Sequence, residues 1–282
     1  MYEKLLERLG IENMNLLEYT IPQYIRVNTL KISEKDLLNR LTAKKVELKK
    51  VPYLRHGYEV INRDFALSST EEYLMGYFYI QDAASQVPPE VLDPAPGDFV
   101  LDMCAAPGSK TTYISQLMGN KGCVIGLDVR EDRLTSLKNN AERLGVSNLI
   151  LFNKDGLYVG DVISRNKKFD KILLDAPCSG NYALRDYQMR TEDDLAKKSV
   201  VQKRLLKAAS AVLKKDGILV YSTCSIETRE NEEVIEWAVQ NCGLSVLPIP
   251  LPVHDGLIKE TKRFFPHLDR TQGFFVAKMK KI

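Results

Sequence analysis

The sequence predicts an α/β chain: a Rossmann-like, doubly wound sheet over residues 76–282, preceded by a small α+β domain over residues 1–75. Two observations carry this. From Phe99 onward, short apolar runs alternate with helical stretches, as parallel strands do when crossover helices join them. The runs are apolar throughout rather than alternately polar, which marks strands covered on both faces.

Taken in order, residues 1–22 read as a short helix (Leu5, Leu6, Leu9, Ile11) ending before Pro22. Tyr24–Asn28 alternates like a strand, and Glu34–Leu41 has helical spacing. Val46–Tyr53 and Tyr58–Ile61 are further strand candidates. Pro88, Pro89, Pro94, Pro96 and Gly97 punctuate the chain and place a boundary between Ser68 and Pro96. Five buried strands then follow: Phe99–Cys104, Cys123–Val129, Leu149–Asn153, Lys171–Ala176 and Gly217–Thr223. Helices are expected over Ser109–Met118, Glu131–Leu144, Ala196–Leu213 and Thr228–Asn241, with Gly145 and Gly217 as C-caps. Leu244–Leu247 and Phe274–Met279 would close the sheet.

Composition sets outer bounds. A chain of 282 residues that is 44% hydrophobic and 27% charged can bury a full core. No run of eighteen apolar residues exists, so no membrane span is expected. The start, MYEKLLERLG, mixes acids with bases and lacks an apolar stretch, unlike a signal peptide. Five cysteines without a CxxC pair and three scattered histidines predict neither disulfides nor a metal site. A cytoplasmic monomer is the expectation. Net charge is only +3, but Lys31–Arg55 holds eight bases against three acids. Such a face either tracks a phosphate backbone or is simply solvated.

In doubly wound sheets, ligands sit beyond the carboxyl ends of the strands. The first of these strands ends in Asp102-Met103-Cys104-Ala105-Ala106-Pro107-Gly108-Ser109-Lys110 and runs into a helix. This is no GxGxxG fingerprint, and Ser109 separates Gly108 from Lys110, which breaks the phosphate-loop register. The second ends in Asp128, which reads either as a ribose acceptor or as a helix N-cap. After the third comes Asp155, placed to accept from an adenine amino group or to make an ordinary Asp-Gly turn. Together the acids describe a nucleoside site without phosphates, which is what S-adenosylmethionine requires. The fourth strand ends in Asp175-Ala176-Pro177-Cys178-Ser179-Gly180, the fifth in Tyr221-Ser222-Thr223-Cys224-Ser225. Cys123 and Cys242 read as buried structural thiols; Cys178 and Cys224 open beside the proposed crevice.

These motifs resemble the NOL/NOP/Sun family of RNA 5-methylcytosine methyltransferases, of class I methyltransferase fold. The likeness runs through Arg26-Val27-Asn28-Thr29-Leu30-Lys31, Gln81-Asp82-Ala83-Ala84-Ser85, Asp102–Lys110, Asp175–Gly180, Tyr221–Ser225 and Glu230-Asn231-Glu232-Glu233. In length the chain resembles the compact archaeal tRNA-modifying members. The resemblance implies that Cys224 attacks the base and Cys178 assists release. It also implies that Cys104, Ala105, Ala106, Pro107, Gly108, Ser109, Lys110, Asp128, Arg133, Asp155 and Asp175 line the cofactor and base sites. DNA enzymes of this chemistry use the Pro-Cys thiol as nucleophile, and the Thr-Cys here points away from them. One departure stands out: Asn181-Tyr182-Ala183-Leu184-Arg185-Asp186-Tyr187 replaces the family's glycine and Arg/Pro segment.

Carbon 5 of cytosine is a weak nucleophile until a thiolate adds at carbon 6 and makes it an enamine carbon. The step needs a lowered thiol pKa and a donor to N3. A protonated Asp175 is the candidate donor, its alternative a carboxylate that orients the cofactor or caps the loop. Arg26, Lys31, Lys44, Lys45, Lys49 and Lys50 are candidate phosphate contacts on a tRNA partner. Tyr53, Tyr58 and Tyr182 are stacking candidates for which a structural role is favoured. The alternatives are the same chemistry on rRNA, or a non-catalytic RNA-binding factor that keeps the fold.

Overall fold

A computed structural model describes residue 7 and residues 20–163, 167–181 and 190–282. The helix expected over 1–22 falls almost wholly outside these residues, as do Tyr182 and the loop that follows it. Two sheets form. The small one holds β1 (Gln23–Val27), β2 (Glu47–Lys50), β3 (Gly57–Asn62) and β4 (Phe78–Ile80) in the order β2-β3-β1-β4, all antiparallel. Helix α1 (Glu34–Ala43) packs on it through Leu37 and Leu41 and starts at Ser33, whose Oγ accepts from the Asp36 N–H. A short helix α2 (Glu71–Leu74) precedes β4. Because β4 pairs with β1, the small sheet reaches Ile80, and the division expected after residue 75 moves past it.

Pro88 and Pro89, read from sequence as punctuation near the domain boundary, lie inside helix α3 (Ala83–Leu92). Proline removes a helix N–H and orphans the carbonyl four residues earlier. For Pro89 that carbonyl is Ser85 O, and the Gln81 side chain donates to it at 2.9 Å. At Pro89 the orphaned carbonyl is satisfied by a side chain.

The large sheet contains β5 (Phe99–Asp102), α4 (Ser109–Leu117), β6 (Cys123–Asp128), α5 (Glu131–Leu144), β7 (Leu149–Asn153), β8 (Phe169–Asp175), α6 (Glu192–Val212), β9 (Leu213–Thr223), α7 (Glu232–Cys242), β10 (Leu244–Leu247), β11 (His254–Asp255), β12 (Lys262–Phe264), α8 (Pro266–Asp269) and β13 (Phe274–Lys281). Its order is β11-β12-β13-β9-β8-β5-β6-β7, with β10 also paired to β13. β5 to β9 are parallel, and β13 is antiparallel to β9. Consecutive residues face opposite layers. Leu101, Ile125, Ile172 and Leu219 meet α6 and α7, whereas Val100, Val124, Leu173 and Val220 meet α3 and α4. Gly145 caps α5 at φ +74, as expected. Gly217 does not cap α6, because the chain turns directly into β9 and Gly217 lies within that strand. No described helix is long and apolar enough to cross a membrane.

The strand reversal between β5 and β8 opens the crevice at their carboxyl ends. The small sheet is fastened beside it by the segment expected to touch RNA. Arg26 is fully buried, so the expectation that it meets phosphate is overturned. Its guanidinium donates to Ser109 O at 2.6 Å, Gln81 Oε1 at 2.7 Å and Thr112 Oγ1 at 3.1 Å, over the Tyr113 and Tyr79 rings. Burial pushes its pKa down to about 10. Asn28 Nδ2 and Lys31 Nζ donate to Leu144 O and Arg143 O, carbonyls that the end of α5 leaves unpaired. Arg26→Met would orphan several of these buried acceptors. It should cost about 2–4 kcal/mol, read as a lower urea midpoint at unchanged slope. A loss below about 1 kcal/mol would show that Arg26 is not a fastening residue.

Candidate active site

β8 and β9 run parallel with Asp175 opposite Ser222, so the segments leaving them emerge together. This brings Cys178 Sγ to 3.2 Å from Cys224 Sγ. Asp175 lies behind the pair. Its Oδ1 accepts from Ser222 Oγ at 2.7 Å, and its Oδ2 from Lys110 Nζ at 2.7 Å. Lys110 enters on the first turn of α4, whose preceding Gly108 takes φ +103. A Cβ on Gly108 would meet Leu137 Cγ at 2.9 Å, so close packing against α5 also requires glycine.

The two thiols are electrostatically unequal. The hydrogen bond from Cys178 draws the Cys224 pKa below the ordinary thiol value; burial and Asp175 oppose this, and the Lys110 ammonium assists it. Cys178 is driven well up, first by donating to Cys224, then by burial and by the carboxylate of Glu230. The charged neighbours differ: Cys224 has both the Asp175 carboxylate, which raises its pKa, and the Lys110 ammonium, which lowers it, whereas Cys178 has the Glu230 carboxylate, which raises its own. Burial works against the Lys110 charge, but Asp175 more than offsets it and raises the Lys110 pKa. Burial also raises Cys104, Cys123 and Cys242, which makes them poor nucleophiles.

Cys104, Ala106, Asp128, Arg133, Asp155, Asp175, Cys178 and Cys224 share one cavity of about 430 Å³. Asp128 accepts from the Ala106 and Arg130 N–H groups, which fixes its carboxylate at the cavity wall. Asp155 caps the turn after β7 through Leu157 N–H at 2.9 Å while also lining the cavity. Asp155 thus makes the turn read from sequence, whereas Asp128 is not the N-cap of α5: that place is taken by Arg130, which makes no side-chain cap bond. Of the first loop, Cys104 and Ala106 line the cavity, whereas Ala105, Pro107, Gly108, Ser109 and Lys110 do not. Ala105 packs on α5, the Ser109 carbonyl is taken by Arg26, and Lys110 is directed at Asp175.

The Glu230–Glu232 segment was recognised as a motif without a role, and the structure supplies one. Glu230 accepts from Ser179 N–H at 2.8 Å and Ser179 Oγ at 2.6 Å, holding the Cys178 loop. Asn231 accepts from Thr223 Oγ1 at 2.6 Å and donates to Ser225 O at 2.8 Å, holding both sides of Cys224. Glu232 anchors the motif to the buried Arg263 through Nε at 2.7 Å. Val201 and Leu205 of α6, which also line the cavity, carried no motif. Of the remaining candidate RNA contacts, Lys44 pairs with Glu72 and Lys50 with Glu34, whereas Lys45 and Lys49 are exposed.

Comparisons with known proteins bear on these features together. The family model for 16S rRNA methyltransferase RsmB/F matches residues 89–280, and that for the N-terminal domain of 16S rRNA methyltransferase RsmF matches 1–83. A 28S rRNA (cytosine-C(5))-methyltransferase of Mus musculus is 37% identical over 96% of this chain and 36% of its own length. A tRNA (cytosine(49)-C(5))-methyltransferase of Pyrococcus abyssi is 36% identical over 91% of this chain and 87% of its own. The chain thus spans about a third of the mammalian relative and most of the archaeal one. Among solved structures, a methyltransferase homolog protein from Pyrococcus horikoshii superposes with TM-score 0.86 at 44% identity, covering 95% of this chain and 88% of that one. NSun6 from Pyrococcus horikoshii, solved with SFG, gives 0.88 at 27% identity, covering 99% and 94%.

Proposed function

The chain belongs to the 16S rRNA methyltransferase RsmB/F family, and from that membership we propose that it methylates carbon 5 of cytosine in RNA, with tRNA as substrate and Cys224 as nucleophile. The observation that carries the reading is the thiol pair at 3.2 Å beside a buried ammonium paired with a partly buried carboxylate, opening on a nucleoside-sized cavity.

The methyl donor of this family is S-adenosylmethionine, and the residues fit it. A cavity of about 430 Å³ suits a small molecule. Asp128 offers an acceptor for ribose hydroxyls and Asp155 one for an amino group. When bound, the donor supplies an electrophilic methyl group to the activated carbon 5. The protein's own part is the activation. Cys224 adds as thiolate to carbon 6, so the ring's electron pair moves toward N3. Asp175 accepts at both oxygens; it can give N3 a proton only by drawing one from Lys110 Nζ, 2.7 Å away. The donor role read for Asp175 from sequence thus becomes, in this reading, the work of the Lys110–Asp175 pair. The Lys110–Asp175 pair takes the N3 proton back; Cys178, having given its own proton to solvent, serves as base for the carbon 5 proton, and the carbon–sulfur bond breaks to return Cys224 as thiolate.

For tRNA, the support is the Pyrococcus abyssi relative, matched over 87% of its length. For rRNA, it is the names of the family models and of the murine relative. The protein, labelled S-adenosylmethionine, and unmodified tRNA and rRNA in separate reactions decide between them. Label in 5-methylcytidine from tRNA is expected. Label only in rRNA would overturn the substrate, and label in neither would overturn the activity.

A further inference from the structure

The phosphate contacts expected in the small domain are largely spent on structure, which raises the question of where cations are free. Residues 195–215 contain Lys197, Lys198, Lys203, Arg204, Lys207, Lys214 and Lys215 and no acid. These seven bases exceed the chain's whole surplus of three, so the rest of the protein is net acidic. The first five lie on α6, and none of them forms an ion pair within 4.0 Å among the described residues. The acids of the first turn, Glu192, Asp193 and Asp194, precede them; Glu192 pairs with Arg229, and Asp194 closes the capping box with Thr191.

At about 100° per residue, Lys197, Val200, Lys203, Arg204 and Lys207 share an arc of roughly 120°. Lys197, Arg204 and Lys207 are exposed, and Val200 lies among them 57% exposed. Val201 falls next to this arc with Leu205 beyond it, and both line the catalytic cavity. Lys197 and Arg204 form the edge of the stripe nearest the cavity, about 40° and 60° round the helix from Val201, and Lys203 and Lys207 continue it away from the cavity toward Cys242. From Lys197 to Lys207 it runs about 15 Å along the helix, long enough to meet several successive phosphates.

We infer that the exposed basic face of α6 is the track for the substrate RNA backbone, carrying the strand to the Cys224 cavity. This rests on the reading of the chain as an RNA methyltransferase. Charge complementarity selects the occupant, since an unpaired cation row beside an active site fits a polyanion.

The test compares the full chain with a Lys197→Gln/Arg204→Gln/Lys207→Gln variant in direct binding to an unmodified tRNA transcript over a salt series. A control variant, Lys35→Gln/Lys121→Gln/Lys259→Gln, removes the same charge at exposed sites elsewhere. The α6 variant should raise the Kd for RNA at least tenfold. Its slope of log K against log salt should fall by about 0.7 per cation removed, about 2 in all. The control should shift Kd less than threefold, and the Kd for S-adenosylmethionine should not move. RNA binding of the α6 variant equal to wild type, or loss equal in the control, overturns the track. Wild-type RNA binding that depends on these cations without any methyl transfer would sink the enzymatic reading and leave the track standing.

Discussion

Cys224→Ala is expected to lower methyl transfer by at least about 10⁴-fold, whereas Cys178→Ala should arrest the protein on its RNA. The difference follows from position. Cys224 carries the lowered pKa and stands on the Lys110 side of the pair, so without it nothing adds to carbon 6. Cys178 is held as a thiol, 3.2 Å away, by the very bond that stabilises its neighbour. Without it the addition proceeds more slowly, because Cys224 loses its largest stabilising contact. Elimination then lacks its base. The variant should yield a protein–RNA band that survives SDS and disappears on nuclease treatment. If Cys224→Ala gives the band and Cys178→Ala gives inert protein, the two roles are reversed.

The parallel core was readable because strands covered on both faces cannot hide their composition, and four of the five predicted strands came within two residues of their ends. That Cys178 and Cys224 come together was readable for a related reason: each closely follows a strand, leaving little freedom in where it emerges. What escaped was governed by partners distant in sequence. Nothing local announces that Gln81 repairs the proline break in α3. Arg26 looked like a phosphate contact because a charge is normally exposed. Only the folded chain shows three acceptors and two aromatic faces closing around it. The acid-free run at 195–215 was in plain view, yet the net charge of +3 averages it against the acids elsewhere in the chain.

Lys110→Met should shift the rise of activity with pH to higher values and cut the rate at neutral pH by about 10²-fold or more. The direction follows from Cys224. A depressed thiol pKa means the thiolate forms above that pKa, so activity climbs as pH rises through it. Lys110 is one of the influences lowering it, and Asp175 raises it. Removing the ammonium leaves Asp175 unopposed and moves the limb upward. It also leaves a partly buried carboxylate without its ion-pair partner, so some loss of stability accompanies the change. Lys110→Arg retains the charge and should keep the limb near its wild-type place, though its wider head fits the contact with Asp175 less well. The alkylation rate of Cys224 by iodoacetamide, followed against pH, reads the thiolate directly and is independent of RNA. If both limbs stay fixed while turnover falls, Lys110 acts on the base rather than on the sulfur. A shift in alkylation and turnover together ties the ammonium to the nucleophile, and with it the reason the first turn of α4 is clamped by Arg26 one residue earlier, at the Ser109 carbonyl.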